Sequence, residues 1–166
     1  MSKMLQGYAG RDGETCPPVR PTRLVLDRSF LDLLTPAVKN ARSSITICAY
    51  AWRWYGFEPE LAVQRFNNAV FQAMRRGVSV RVITDNLTTS EQLAALGFDS
   101  VHIGFKVVLH TKSIQIDENL LMIGSHNLTK SATSDNYEAS IFTSDTETNR
   151  QFAEYFNKLW NVAHAS

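Results

Sequence analysis

The chain has 166 residues, enough for one globular domain, and its 44% hydrophobic and 20% charged residues exclude a mainly disordered protein. No apolar run reaches the roughly 18 to 20 residues that span a bilayer, and residues 1–10 lack a secretory pattern, so we expect a cytoplasmic protein without a membrane anchor. The net charge of +1 combines +6 over residues 1–81 with −5 over residues 82–166, and the basic half could attract a polyanion.

The first half of the chain predicts strands that alternate with helices. Residues 1–21, rich in glycine and proline, predict an irregular arm, and residues 22–166 a single folded domain. In chain order the patterns predict a strand at 23–26, a helix at 30–42 that Thr35-Pro36 could divide, a buried strand at 44–52, a helix at 60–76, a strand at 78–85 and a helix at 90–96. This alternation is typical of an α/β domain.

The second half adds antiparallel strands and a terminal helix. Strands are predicted at 111–116 and 120–124, around a turn at 117–119, and again at 139–143; an amphipathic helix follows at 145–161. The predicted fold class is therefore α/β, with a mixed, largely parallel central sheet flanked by helices on both faces. Cys16 and Cys48 lack metal-ligand spacing, and we expect Cys48 in the core.

One stretch of the second half carries the residue types of phosphoryl transfer. Its chemically distinctive positions are His110, Lys112, Asp117, Gly124, Ser125 and Asn127. On a strand, His110 and Lys112 would point to the same side, so that an imidazole and an ammonium could address one phosphate. The imidazole can attack phosphorus or protonate a leaving oxygen, and Asn127 can donate to a phosphate oxygen. Gly124 would let the backbone approach a ligand closely.

The stretch matches the HxK(x4)D(x6)GSxN signature of the phospholipase D superfamily at all six fixed positions. Over about residues 23–160 the chain resembles the single-domain bacterial nucleases of that superfamily. The resemblance implies a phosphodiesterase that forms a phosphohistidine, with no metal or other cofactor. It also implies that Ser125 lies beside the phosphate and that Glu138 accepts the proton on the far ring nitrogen of His110.

The same resemblance implies a homodimer. Two such motifs face each other in the superfamily, one histidine attacking phosphorus while the other protonates the departing alcohol. This chain contains one motif, so a second chain must supply the second histidine, most simply across a two-fold axis between the two copies of His110. The predicted catalytic residues are His110, Lys112, Ser125, Asn127 and Glu138.

Two residues of the motif have simpler interpretations. Asp117 falls at the predicted turn, where an aspartate that hydrogen-bonds nearby backbone is favoured over a proton-transfer residue. His126 should alternate away from Ser125 and Asn127, which favours a structural or solvent-facing role.

Candidates for substrate contact lie outside the motif. Tyr50, Trp52, Arg53, Trp54 and Tyr55 follow the predicted central strand, where open α/β sheets tend to bind ligands. They could stack on bases or pack a dimer interface, and both uses remain open. Arg53 and Trp54 are the predicted substrate-binding residues of this group, and Lys130 could reach a flanking phosphate.

Three functions fit the sequence. The leading hypothesis is a metal-independent endonuclease with little sequence preference, since no separate domain is present to read bases. A lipid phosphodiesterase or transphosphatidylase would use the same residues but should show an apolar lip or membrane anchor, which the sequence does not indicate clearly. A nucleic-acid-binding protein that kept the fold without turnover is less consistent with the intact motif.

Overall fold

A computed structural model describes residues 22–104 and 107–165, and the predicted arm at 1–21 lies outside the described residues. Its strands are β1 (Thr22–Leu26), β2 (Ser44–Ala49), β3 (Ser79–Thr84), β4 (Asp99–His102), β5 (Lys112–Ile116), β6 (Leu120–Gly124) and β7 (Ala139–Thr143). Its helices are α1 (Phe30–Lys39), α2 (Ala62–Arg75), α3 (Leu87–Ala95), α4 (Lys130–Ser134) and α5 (Thr146–His164), and a short 3₁₀ turn covers Asp27–Ser29.

The seven strands form one sheet in the order β1-β7-β6-β5-β2-β3-β4. The pairs β2–β3 and β3–β4 are parallel, and the other four are antiparallel. The predicted mixed α/β sheet is confirmed, but "largely parallel" is wrong for its pairing. Five strands do run in one direction; β5 and β7 run against them and lie between the others, which makes most neighbouring pairs antiparallel.

Helices cover both faces of the sheet, as predicted. Alternating side chains divide the core, so that Ile47 and Val82 pack with α1 and α2, whereas their neighbours Cys48 and Ile83 pack with α5. The buried residues of α1 and α2 recur at helical spacing: Phe30, Leu31, Leu34, Val38, Val63, Phe66, Val70 and Ala73. This packing fixes β5 and β2, the two strands that meet at the site, between two apolar layers.

Among the element boundaries that differ from the predictions, three bear on the site or have a visible local cause. Helix α1 is continuous through Pro36 and ends at Lys39, because the Arg42 amide donates to the Asp117 carboxylate at 3.0 Å instead of extending the helix. Helix α3 begins at Leu87, since the Asn86 side chain accepts from the Thr89 amide and caps it. Strand β5 begins at Lys112, so His110 precedes the strand on which it was placed.

Candidate active site

His110 and Lys112 meet at the end of β5 although only Lys112 belongs to the strand. The segment before His110 is anchored where the Leu109 amide donates to the Asp85 carboxylate at 2.6 Å. The Lys112 ammonium then donates to the His110 carbonyl oxygen at 2.8 Å. The His110 side chain is exposed, whereas Lys112 is only 7% exposed. A solvent-accessible imidazole therefore stands beside a restrained ammonium.

The burial of Lys112 changes the pKa of its ammonium group. Burial lowers the pKa of Lys112 below its ordinary value, because the charged form loses solvation, and the negative charge of Glu138 acts in the opposite direction. An ammonium with little water around it gains from any anion that enters the site. A phosphate group is therefore a suitable partner for Lys112.

Ser125 and Asn127 lie on the loop after β6, which two neighbouring segments hold. The Ser125 amide donates to the Ala139 carbonyl at 3.0 Å, and Leu128 exchanges backbone hydrogen bonds with Ala51 and Arg53, each at 3.0 Å. The side-chain oxygen of Asn127 is buried without a hydrogen-bond partner among the described residues. The loop is thus held by backbone contacts on both sides, while the Asn127 side-chain oxygen keeps an acceptor position unfilled.

Glu138 reaches the site from the residue before β7. Its carboxylate accepts hydrogen bonds from the Ser125 hydroxyl and, at 2.9 Å, from the Asn136 amide. No hydrogen bond joins it to the His110 ring within residues 22–104 and 107–165. The tautomer-fixing contact that the resemblance implied is therefore not formed here, and Glu138 orients Ser125 instead.

One open cleft of about 460 Å³ brings these groups together. It is lined by His110, Lys112, Gly124, Ser125, Asn127 and Glu138, which include all five predicted catalytic residues. The cleft combines an imidazole, an ammonium, an amide, a hydroxyl and a carboxylate. This set can bind a phosphodiester, attack it and transfer protons.

The predicted substrate-binding residues do not line this cleft. Arg53 is exposed and its backbone bonds to the motif loop at Leu128. Trp54 packs against Phe98, with ring centroids 6.3 Å apart, on the edge of the core. Lys130 pairs with Glu58 at 2.8 Å on the surface, and this bond raises the pKa of Lys130. Of the three, Arg53 is the one whose exposed side chain has no hydrogen bond, ion pair or ring contact within the described residues.

Three further motif residues hold the site in place. The buried His126 ring hydrogen-bonds Ser140 and the Asp27 carbonyl, each at 2.6 Å, which confirms a structural role. Gly124, which lines the cleft, is needed for the close approach of β7, because a Cβ there would lie 2.2 Å from the Ser140 hydroxyl and 2.4 Å from the Ala139 carbonyl.

Asp117 is also structural, but the backbone that it binds is distant in sequence. Its carboxylate accepts from the amides of Arg42, Ser43 and Ser44 and from the Ser43 hydroxyl, at 2.8 to 3.2 Å. Burial raises the pKa of Asp117, yet these hydrogen bonds outweigh it and hold the pKa below its ordinary value. Asp117 therefore ties the β5–β6 turn to the start of β2.

Two features beside His110 were not predicted from the sequence, namely the ring contacts of Tyr50 with the motif and an apolar groove. Tyr50, one residue after β2, has its ring centroid 4.9 Å from that of His110 and 4.6 Å from the Lys112 ammonium. An apolar groove of about 650 Å³ also opens beside His110. Its lining residues are Ile103, Gly104, Val107, Val108, Leu109, His110, Thr111, Tyr155, Leu159 and Val162. The run of Val107, Val108 and Leu109 before His110 was the available signal for this groove.

The family model described as "Cardiolipin synthase, PLD-like domain" matches residues 34–160, which include strands β2 to β7 and every residue that lines the cleft. The chain belongs to the phospholipase D superfamily. It is 33% identical over 146 residues to mouse "Mitochondrial cardiolipin hydrolase", covering 84% of this chain and 62% of that protein. The chain thus spans less than two thirds of that relative.

Solved structures of the superfamily share the fold. Nuc from Salmonella typhimurium, described as a phospholipase D family member, matches with a TM-score of 0.69 and 21% identity, over 85% of this chain and 95% of Nuc. NucT from Helicobacter pylori matches with a TM-score of 0.69 and 22% identity, over 86% and 98%. Across the described residues, no helix is both long and apolar enough to cross a membrane.

Proposed function

We propose that this phospholipase D-like chain is a metal-independent endonuclease of low sequence specificity, which acts as a homodimer through a phosphohistidine on His110. The observation that carries the proposal is the single cleft in which His110 stands with Lys112, Ser125, Asn127 and Glu138. The cleft is polar and open, so it can receive a phosphodiester within a longer strand. Arg53, which is exposed and bonded through its backbone to the motif loop, suits a flanking phosphate.

The reaction proceeds in two displacements at phosphorus. A ring nitrogen of His110 forms a bond to phosphorus while the bond to the leaving oxygen breaks, and His110 of the partner subunit donates a proton to that oxygen. Water then attacks the phosphohistidine, giving its proton to His110 of the partner subunit as the phosphorus–nitrogen bond breaks. Lys112 and Asn127 stabilise the charge on the non-bridging oxygens in both steps.

The apolar groove supports the dimer. It shares His110 with the cleft, and its rim includes Val107 and Val108, which are 77% and 63% exposed. Exposed apolar surface of this kind marks contacts with a partner or a membrane. A second copy packed on this groove across a two-fold axis would bring its own His110 toward the cleft.

A phospholipid is the second candidate substrate, and the same groove favours it. The apolar lip that a lipid enzyme should show, and that was not clear from the sequence, is present beside His110. Acyl chains could occupy the groove while the phosphodiester enters the cleft. The names of the curated relatives, cardiolipin hydrolases, point to the same substrate class. The cytoplasmic location stays a prediction.

Parallel assays with one protein preparation test the proposal. Purified protein in excess EDTA is incubated with labelled DNA, labelled RNA, and vesicles of phosphatidylcholine with cardiolipin, each beside the His110→Ala variant. We expect cleavage of nucleic acid that EDTA does not abolish and that His110→Ala lacks. Hydrolysis of the lipids alone would replace the nuclease with the second candidate, and a strict divalent-metal requirement would contradict the mechanism.

A further inference from the structure

Tyr50 touches both chemically active groups of the cleft. Its ring centroid lies 4.6 Å from the Lys112 ammonium, and its plane meets the His110 imidazole at 65° with centroids 4.9 Å apart. The register explains this placement, because Ala49 is the partner of Lys112 in the β2–β5 ladder and Tyr50 is the next residue. One aromatic ring therefore stands beside an ammonium and an imidazole.

The ammonium needs such a restraint. A lysine stem has four rotatable bonds, so a point charge at its end has many positions unless directional contacts select one. Lys112 has the His110 carbonyl oxygen on one side, the charge of Glu138 nearby and the face of the Tyr50 ring. An aromatic face attracts a cation more strongly when water is scarce, as it is around this nearly buried side chain.

We propose that the aromatic ring of Tyr50 is a positioning element for phosphoryl transfer, holding the Lys112 ammonium by its face and the His110 imidazole by an edge-to-face contact. The inference rests on the proposed function, since it assigns Tyr50 a part in the same reaction. The ring and not the hydroxyl carries the role, because that hydroxyl has no hydrogen bond within the described part of the chain.

The test measures kcat/KM across pH with bis(p-nitrophenyl) phosphate, a phosphodiester that needs neither a base nor an acyl chain. We expect Tyr50→Leu to lower kcat/KM about tenfold, and Tyr50→Phe to stay within about twofold of the wild type. In Tyr50→Leu the alkaline limb of the profile should move to lower pH, because the Lys112 ammonium loses a stabilising partner while Glu138 and the His110 carbonyl remain. Phe57→Leu is the matched control, because it also replaces an aromatic ring by leucine but at a fully exposed position.

The variants separate a positioning role from a loss of structure. Tyr50 is 39% exposed, so its replacement should change Tm little, and Tyr50→Met repeats the measurement with a second non-aromatic side chain. Wild-type kcat/KM and pH profile in both Tyr50→Leu and Tyr50→Met would overturn the role of the ring. A loss in Tyr50→Phe as large as in Tyr50→Leu would assign the effect to the hydroxyl and overturn it as well.

His110→Ala, assayed in parallel, distinguishes this inference from the proposed function. Activity near the wild type in His110→Ala would contradict the proposed function itself. An inactive His110→Ala beside unaltered Tyr50→Leu and Tyr50→Met would contradict only the role of Tyr50.

Discussion

The two ends of β5 carry residues of one motif but differ in how their polar groups are bonded. Before the strand, the ring nitrogens of His110 have no hydrogen bond within the described residues, and Tyr50 is the aromatic ring that the imidazole contacts there. After the strand, the Asp117 carboxylate accepts from three backbone amides and one hydroxyl. Groups saturated by protein partners hold the fold, whereas groups left unpaired in a cleft are available to a substrate.

The same contrast separates two histidines of the motif. His126 has both ring nitrogens bonded and its ring packed on Phe30, with centroids 4.2 Å apart. His110, 16 residues earlier, is exposed at the mouth of the cleft. Hydrogen-bond saturation thus gives His126 a structural role and leaves the ring nitrogens of His110 available for the proposed chemistry.

Removing the unsaturated histidine should give the largest effect. We expect His110→Ala to lower phosphodiesterase activity roughly thousandfold or more, because the nucleophile is lost, while Tm stays close to that of the wild type. Initial rates in EDTA and a thermal melt measure both quantities, with the exposed His164→Ala as a control that keeps activity. Near-normal cleavage by His110→Ala would show that the unpaired histidine before β5 does not act on substrate.

Removing the saturated histidine should have the opposite profile. We expect His126→Ala to lower the free energy of unfolding by about 3 kcal/mol, because it leaves a cavity beside Phe30 and unpaired groups at Ser140 and Asp27. Denaturant unfolding measures this loss, and His164→Ala should change stability by less than about 0.5 kcal/mol. A stability equal to that of the wild type would show that His126 is dispensable.

A smaller loss is expected at the far end of β5. Asp117 and its neighbour Glu118 both have a positive φ, 51° and 54°. Replacing either carboxylate by the amide of the same length therefore gives a matched pair of substitutions in one turn. We expect Asp117→Asn to cost about 2 kcal/mol of unfolding free energy, since one amide oxygen replaces a charged acceptor of four donors. Glu118→Gln, at an exposed position, should cost little. Equal effects of the two substitutions would contradict the structural role of Asp117.

The cost of Asp117→Asn should also depend on pH. Because the folded pKa of Asp117 is lowered, its contribution is complete above the ordinary aspartate pKa of about 4 and is lost as pH falls through the folded value. The stability difference between the wild type and Asp117→Asn should therefore shrink in acid. A difference that stayed constant from neutral pH into strong acid would show that the carboxylate charge is not involved.

The features predicted best from the sequence were those that depend on the spacing of residues within one short segment. The motif located the cleft residues and the amphipathic helices located the core, because both are local patterns. Strand β4 was not predicted, since Asp99–His102 is short and only partly buried at a sheet edge. Helix α4 was missed as well, because Lys130–Ser134 is a polar single turn that depends on the Thr129 cap.

Contacts between distant segments could not be predicted from the sequence. The position of Tyr50 follows from the pairing of Ala49 with Lys112, 63 residues later, which no local pattern encodes. The partners of Asp117 lie 73 to 75 residues away. Trp54 was predicted to bind substrate because aromatic residues beside arginine suit nucleic acid; its ring packs on Phe98, 44 residues later, and the substrate contact stays a prediction.

A heterodimer of one wild-type and one His110→Ala subunit tests the central claim, that two imidazoles from two subunits act on one phosphorus atom. Subunits with different affinity tags are co-expressed, and the mixed dimer is isolated through both tags. Its phosphodiesterase rate is measured before the subunits can exchange, in parallel with that of the wild-type dimer. We expect about a hundredth of the wild-type rate or less, because one histidine is missing from the shared site. Half of the wild-type rate would show that each subunit works alone and would contradict a site shared by two subunits.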